Sequence, residues 1–272
     1  ERVLKLYLGC IGIVVISGTL IALSYSALNG GSVLWNIILV LLLPFPLSEL
    51  GILFVQWVAT KLARPKPLPK LDFEKGIPAH AATAVVVQTI VSDRDSVDRV
   101  FEALEIRAIG NSDRHVAFGV LMDLADAPSE TLSGDLGVMH RARELINSFN
   151  KKYCADGPER FFLMVRRRQW NASEGKFIGW ERKRGKILEF NRFVRGAEDT
   201  SFNLVLGDLS FLRSIKYVIT LDNDTQLPAG SATKLIGAIS HPLNRPFFND
   251  STNVVEKGYA ILQPRVGITL ST

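Results

Sequence analysis

Lys216-Tyr217-Val218-Ile219-Thr220-Leu221-Asp222-Asn223-Asp224 is an apolar, β-branched run that stops on two carboxylates. It has the length and composition of a buried strand. Alternate residues of an extended segment point the same way, so Asp222 and Asp224 can turn two carboxylates toward one hard cation. Oxygen ligands of this kind suit Mg²⁺ or Mn²⁺. An Asp-x-Asp triplet also arises by chance or caps a turn. Its place at the end of a buried strand is what favours the metal reading.

Working outward from this strand, apolar runs alternate with helical spacing. Thr83 to Val91, Val116 to Met122, Phe161 to Val165 and Tyr259 to Val266 read as further strands. Between them, Val97, Val100, Phe101 and Leu104 fall on one helix face, with Asp95 as its cap. Leu136, Met139, Leu145, Ile146 and Phe149 mark a second helix. Lys186 to Val194, with Gly185 at its start, and Gly230 to Ser240 mark two more. This order predicts an α/β fold with a mainly parallel sheet and helices on both faces. Ligands in such sheets bind beyond the carboxyl ends of the strands. Asp123, Asp126 and the Asp222/Asp224 pair all fall at such ends. Asp123 can accept hydrogen bonds from a ribose or a uracil, and it can equally be an ordinary turn residue.

The amino-terminal part is of another kind. From Leu6 to Ser48 there is no Asp, Glu, Lys, Arg or His. A bilayer core takes about 20 apolar residues per helix. Leu6 to Ala27 and Val33 to Val58 therefore read as two spans, joined by the turn Asn29-Gly30-Gly31-Ser32. A secretory signal peptide is the competing reading, but two long runs follow one another without a clear cleavage site. Pro44 and Pro46 kink the second span, which also carries Glu49. Arg2 and Lys5 precede the spans; Lys61, Arg64, Lys66 and Lys70 follow them. Basic residues mark the cytoplasmic side, so both ends face the cytosol. The expected organisation is a transmembrane hairpin over residues 1–62, a Pro-rich linker and surface segment over 63–82, and the N-terminal part of an α/β domain over 83–272. Arg64-Pro65-Lys66-Pro67-Leu68-Pro69 favours a stiff, extended path.

Charge points to the partner. Residues 159–195 hold eleven Lys and Arg against four Glu, while the whole chain carries a formal +5. Arg166-Arg167-Arg168 and Trp180-Glu181-Arg182-Lys183-Arg184-Gly185-Lys186 are the densest parts. Gly185 lets a backbone approach a phosphate, and a helix start there favours an anion. Trp180 offers a ring platform for a base or sugar; Trp170 either does the same or packs in the core. Two cysteines and four scattered histidines form no disulfide framework or zinc spacing. Neither the dinucleotide fingerprint nor the P-loop is present. The strand-end aspartates repel the phosphates of nucleic acid unless a cation intervenes, which makes nucleic acid the weakest reading, and none is expected as a partner. Paired carboxylates beside a basic stretch suit a transferase acting on nucleotide sugars.

Several stretches are familiar. Arg168-Gln169-Trp170-Asn171, Gly179 to Lys186, Tyr217 to Pro228 with its Asp222-Asn223-Asp224, His241-Pro242-Leu243-Asn244 and Ile261-Leu262-Gln263-Pro264-Arg265-Val266 together resemble the cyclic β-1,2-glucan synthases, large glycosyltransferases of the bacterial inner membrane. The likeness extends to Leu43-Pro44, Ser48-Glu49-Leu50 and Leu71-Asp72-Phe73. It implies a GT-A-like domain, a UDP-glucose donor, a growing β-glucan acceptor and an inverting, metal-dependent transfer. It also implies a multi-pass protein in the lipid bilayer with its catalytic part cytoplasmic. By this likeness Asp222 and Asp224 are the metal motif, with Asn223 where alanine is expected. Arg184 and Lys186 stand where diphosphate contacts fall. The general base is expected outside this chain, in the C-terminal transferase, membrane and phosphorylase-like regions of such proteins, so the isolated fragment is expected to be inactive. A processive synthase of another or a linear glucan, or a non-catalytic membrane-tethered nucleotide-binding module, are the alternatives.

Overall fold

The computed structural model describes residues 2–63, 67–155 and 157–267. Arg64, Pro65 and Lys66 of the linker, and Leu270-Ser271-Thr272, lie outside the described residues. The chain divides into two compact units, Glu1–Pro67 and Leu68–Thr272.

The first unit is helical. α1 (Arg2–Leu28), α2 (Val33–Leu42) and α3 (Pro44–Leu62) follow the uncharged run closely. Ser32 caps α2 by accepting from the Trp35 amide. The break between α2 and α3 falls at Leu43, where Pro44 and Pro46 cannot donate to the helix ladder. α1 and α3 run antiparallel and meet through small residues. A side-chain carbon on Gly51 would lie 3.3 Å from Ile11, and one on Gly18 would lie 2.8 Å from Leu47. Such glycines let two helices approach closely.

The second unit is built on a five-stranded sheet. β1 (Thr83–Val91), β2 (Val116–Leu124), β3 (Phe161–Arg166) and β7 (Tyr217–Asp222) are parallel; β6 (Phe202–Leu206) is antiparallel at one edge. The spatial order is β6-β3-β2-β1-β7. Helices α4 (Arg94–Gly110), α5 (Asp135–Tyr153), α6 (Arg182–Val194), α7 (Leu209–Ser214) and α8 (Ser231–Ser240) cover the faces. β1, β2 and β3 are buried on both faces, which is why they read as apolar runs. β7, expected as a buried strand, is a half-buried edge strand with Thr220 exposed, because no strand among the described residues covers its outer side. Val85 and Val87 of β1 face the core shared with Val97, Phe101 and Leu104 of α4 and Ile146 of α5. Ala84 and Val86 point the other way, to Phe190 of α6 and Leu212 of α7. Gly119 of β2 makes room for the Phe162 ring, whose nearest carbon is 2.3 Å from where a side-chain carbon would sit.

Some expectations are corrected. The cap of α4 is Asp93, in a reciprocal box with Ser96; Asp95 lies in the first turn. α6 begins at Arg182, so Gly185 is inside its first turn and not at its start. Tyr259 to Val266 forms no strand; the late strands are the short hairpin β8 (Phe247–Asn249) and β9 (Val254–Lys257). A second hairpin, β4 (Gln169–Asn171) with β5 (Lys176–Ile178), interrupts the basic stretch. The segment after the linker is less superficial than its composition implies. Ile77 is buried, Phe73 packs on the core, and the Leu71 amide donates to the Gly237 carbonyl of α8.

Candidate functional site

Asp222 closes β7 beside β1, and β2 lies on the other side of β1. The chain therefore reverses its direction of strand addition at β1 and β7. In open α/β sheets the crevice beyond that reversal is the ligand site. Asp222 is in register with Gln88, whose Nε2 donates to Asp222 Oδ1 at 3.3 Å. Lys183, in the first turn of α6, places its Nζ 2.7 Å from the same oxygen. A cation thus already stands on this carboxylate.

The strand ends at Asp222, so the alternation expected of Asp222 and Asp224 along one extended segment does not hold. Asn223 and Asp224 lie in a turn that closes when the Thr225 amide donates to the Asp222 carbonyl at 3.1 Å. Buried Arg107 of α4 shapes that turn from beneath. Its Nη2 donates to the Asn223 carbonyl at 2.7 Å and its Nε to the Thr225 carbonyl at 3.0 Å. Burial pulls the Arg107 pKa down against the opposing pull of Asp224. Asn111, one turn later, holds the next stretch: its Nδ2 donates to the Leu227 carbonyl at 3.1 Å, and its Oδ1 accepts from the Ala232 amide at 2.9 Å.

No group of three or more His, Cys, Asp or Glu side chains that could hold a metal occurs among the described residues. Asp222 and Asp224 are hard oxygen donors on one turn, the kind that a divalent ion takes together with substrate phosphates and water. Mg²⁺ is commonly bound in that way.

A second cluster lies in the interior. Arg166, at the end of β3, faces Asp123 at the end of β2. Its Nε and Nη2 donate to Asp123 Oδ1 and Oδ2, both at 2.8 Å. Its Nη1 donates to Glu189 Oε2 of α6 at 3.0 Å. Lys186 Nζ reaches Asp123 Oδ2 at 3.0 Å and also donates to the Thr89 carbonyl. Glu189 accepts from the Ser201 amide at 2.9 Å and hydroxyl at 2.6 Å. All four charged side chains are buried, Arg166 and Lys186 to 1% exposure. Burial drags the Lys186 pKa down to about 8 in spite of Asp123. Burial works against the Arg166 guanidinium too, but Asp123 and Glu189 outweigh it and hold its pKa above the usual arginine value.

Asp123 and Lys186 therefore face one another inside the fold rather than a solvent-side ligand. The physical reason is the mutual neutralisation that buried charges need. The other candidates lie outward. Trp180 is partly exposed; Arg184 is exposed and paired with Glu181 at 3.2 Å. Asp126 holds Arg182 at 3.0 Å. Trp170 is exposed and meets Phe177 edge-on. The basic stretch is thus largely self-neutralised, because Arg168 is also buried, in a two-pronged pair with Asp135 at 2.6 and 3.0 Å.

Between the two clusters runs a tight turn. Glu181 and Arg182 have φ of 51° and 46°. Such left-handed conformations cost non-glycine residues of order 1–3 kcal/mol each. The flanking glycines allow it. A side-chain carbon on Gly179 would sit 2.5 Å from Asp123 Oδ2, and one on Gly185 would sit 2.1 Å from the Trp180 carbonyl oxygen. The turn ends in α6, whose N-cap has no side-chain hydrogen bond. An uncapped helix start favours an anion.

Sequence reasoning missed Lys183, Arg166, Glu189 and Arg107 as site residues. Lys183 was hidden in a run of cations. Arg107 and Glu189 sit within helices and carry no motif that marks them.

Over 237 residues, 87% of its length, the chain is 42% identical to the cyclic β-(1,2)-glucan synthase NdvB of Rhizobium meliloti (strain 1021). The chain belongs to the cyclic β-(1,2)-glucan synthase family. The match takes up 8% of the length of that synthase. No protein-family profile matches the chain. A match of that length takes in the central sheet and the Asp222 turn.

Proposed function

We propose that this chain is the donor-binding part of a membrane-anchored, inverting glucosyltransferase with a GT-A-like domain, which takes UDP-glucose and extends a β-1,2-glucan. The observation that carries the reading is Asp222, at the carboxyl end of β7 on the sheet's reversal point, with Lys183 on its carboxylate. The relationship to a glucan synthase supplies the reaction class.

In this reading Asp222 and Asp224 hold the cation, Mg²⁺ or Mn²⁺. When bound it neutralises the charge that develops on the leaving diphosphate. Lys183 exchanges its contact with Asp222 for the diphosphate, and the uncapped start of α6 and exposed Arg184 add positive potential there. Trp180 offers its ring to the nucleoside or the sugar. Asp123 and Lys186 act from behind the site rather than at the donor. The donor is α-linked, so a β product requires inversion at the anomeric carbon. A single displacement then needs a general base beside the acceptor hydroxyl. No carboxylate at the Asp222 crevice is assigned to that duty.

The anchor is α1 with the kinked pair α2 and α3. Arg2–Leu28 and Val33–Leu62 are long and apolar enough to cross a membrane, each with an 18-residue stretch of mean hydropathy 2.3. The 30-residue second stretch extends about 45 Å, against a hydrocarbon core of about 30 Å. With Lys and Arg at both ends and none at the tip, the bulk of the chain sits in the cytosol, where its donor is made.

The test is glucan synthesis from labelled UDP-glucose by membranes carrying the full-length protein or its Asp224→Asn variant. An amide keeps the shape of the carboxylate and loses its charge. The variant is expected at normal abundance with turnover reduced about 100-fold or more. Unchanged turnover, or turnover that ignores removal of divalent cations, overturns the reading.

A further inference from the structure

Arg166 is fully buried and lies beneath the site rather than in it. Two of its bonds go where no charge calls for them. Its Nη1 donates to the Trp180 carbonyl at 2.9 Å and its Nη2 to the Arg182 carbonyl at 3.1 Å. These carbonyls bracket Glu181 and belong to the left-handed turn. The same guanidinium is itself fixed on both sides, by Asp123 on β2 and by Glu189 on α6. Glu189 is in turn tied to Ser201, whose carbonyl accepts from the Arg167 amide. The rigid sheet is thus connected through one planar group to a backbone conformation that the chain resists.

The turn sets what faces the crevice. Arg182 leaves it toward Asp126 and Glu174, at 3.0 and 2.8 Å. Lys183, the next residue, goes the other way, to Asp222. If Glu181 and Arg182 relaxed to right-handed values, the start of α6 would rotate and Lys183 would lose its direction. A lysine at position 166 could keep one ion pair, but it has no fork with which to hold two carbonyls and two carboxylates at once.

We propose that Arg166, with Asp123 and Glu189 as counter-ions, is the positioning residue of the donor site: it holds the Glu181–Arg182 turn left-handed so that Lys183 and the start of α6 face Asp222. The inference rests on the reading of that crevice as a nucleoside-diphosphate site. It makes the buried pair Asp123–Arg166 part of donor affinity without contact with the donor.

The experiment uses the full-length protein purified in detergent. UDP binding in the presence of Mg²⁺ is measured by equilibrium dialysis, and KM and kcat for UDP-glucose by glucan synthesis. Lys183→Ala and Asp222→Asn test the site itself. If both bind UDP as the wild type does, the crevice is not the donor site and the underlying reading fails. If they weaken it, Arg166→Lys tests the clamp. It is expected to weaken UDP at least about 10-fold and to raise KM far more than it lowers kcat. Because it acts through Lys183, the double variant Arg166→Lys/Lys183→Ala is expected to be no weaker than the worse single variant. Additive losses mean that Arg166 acts independently of Lys183, and the proposal is wrong. Glu181→Gly supplies a rescue. Glycine adopts the left-handed conformation without strain, and among the described residues the Glu181 side chain is ion-paired with exposed Arg184. In the Arg166→Lys background it is expected to restore part of the affinity; no restoration counts against a clamp on backbone strain. Should Arg166→Lys fail to fold, Glu189→Gln keeps the bonds to Ser201 and weakens the hold on Arg166. A Glu189→Gln protein with wild-type UDP affinity and KM then overturns the proposal.

Discussion

Replacing Arg166 and Lys186 in turn by methionine separates the two buried cations. The cluster of Arg166, Lys186, Asp123 and Glu189 is neutral as built. Arg166→Met leaves Asp123 and Glu189 with one cation between them and removes the donors to the Trp180 and Arg182 carbonyls. Removing one partner of a buried pair costs about 3–5 kcal/mol, a large share of the 5–15 kcal/mol typical of a domain. Lys186→Met is different. The ammonium is held against its own burial, which lowers its pKa from 10.5 to about 8. That difference is net of the attraction to Asp123 and corresponds to about 3 kcal/mol against the charged form. Only the bond to the Thr89 carbonyl is left to set against it, about 1.5–3 kcal/mol. The net effect of Lys186→Met therefore falls between about zero and a gain of about 1.5 kcal/mol, while Arg166→Met costs at least about 3 kcal/mol. Urea unfolding of the 272-residue chain in detergent micelles measures both, with Trp35→Phe and Trp57→Phe removing the fluorescence of the apolar helices. The comparison is of midpoints at constant slope. Equal losses for the two variants, or a loss below about 1 kcal/mol for Arg166→Met, refute the idea that Arg166 is the centre of the cluster.

The same pair predicts a pH dependence. The folded pKa of Lys186, about 8, lies below its unfolded value of 10.5, so between these pH values the unfolded chain binds the extra proton and stability rises with pH. The stability of the wild type relative to Lys186→Met should increase by up to about 3 kcal/mol from pH 7 to pH 10.5, read by urea midpoints; a flat difference contradicts the burial of a charged Lys186. Gly179→Ala should weaken UDP binding about 10-fold or more, in line with misplaced first contacts, because the added carbon meets Asp123 and Arg166 at 2.5 and 2.8 Å. Gly134→Ala, with nothing within 4 Å, is the control and should leave UDP binding and the urea midpoint unchanged.

The sheet was legible in the sequence because burial of both faces imposes a simple pattern. Thr83–Val91, interrupted only by Gln88, and Phe161–Val165 are apolar or β-branched runs, and they fall where they were expected. β6 was not legible. Phe202–Leu206 is half-buried at an antiparallel edge, and Asn203 breaks its apolar run. Tyr259 to Val266 shows the converse failure: its apolar start runs into Gln263-Pro264-Arg265, and with no strand partner among the described residues it stays irregular. The Asp222 edge was legible from its position. That Lys183 meets Asp222 while Lys186 turns inward to Asp123 was not. Both lie in one basic run, and which of them turns inward depends on a left-handed turn at Glu181 and Arg182. Neither residue type advertises that conformation. Gly179 and Gly185, which make it possible by close approach, were the nearest signal.

Hydrogen exchange of the full-length protein with and without UDP and Mg²⁺ locates the donor directly. Amides of the 179–187 segment and of the 222–228 turn are expected to become protected on addition of ligand, while α5, on the opposite side of the core from α6, keeps its rates. Protection confined to other segments, with both of these unchanged, contradicts a donor site at Asp222.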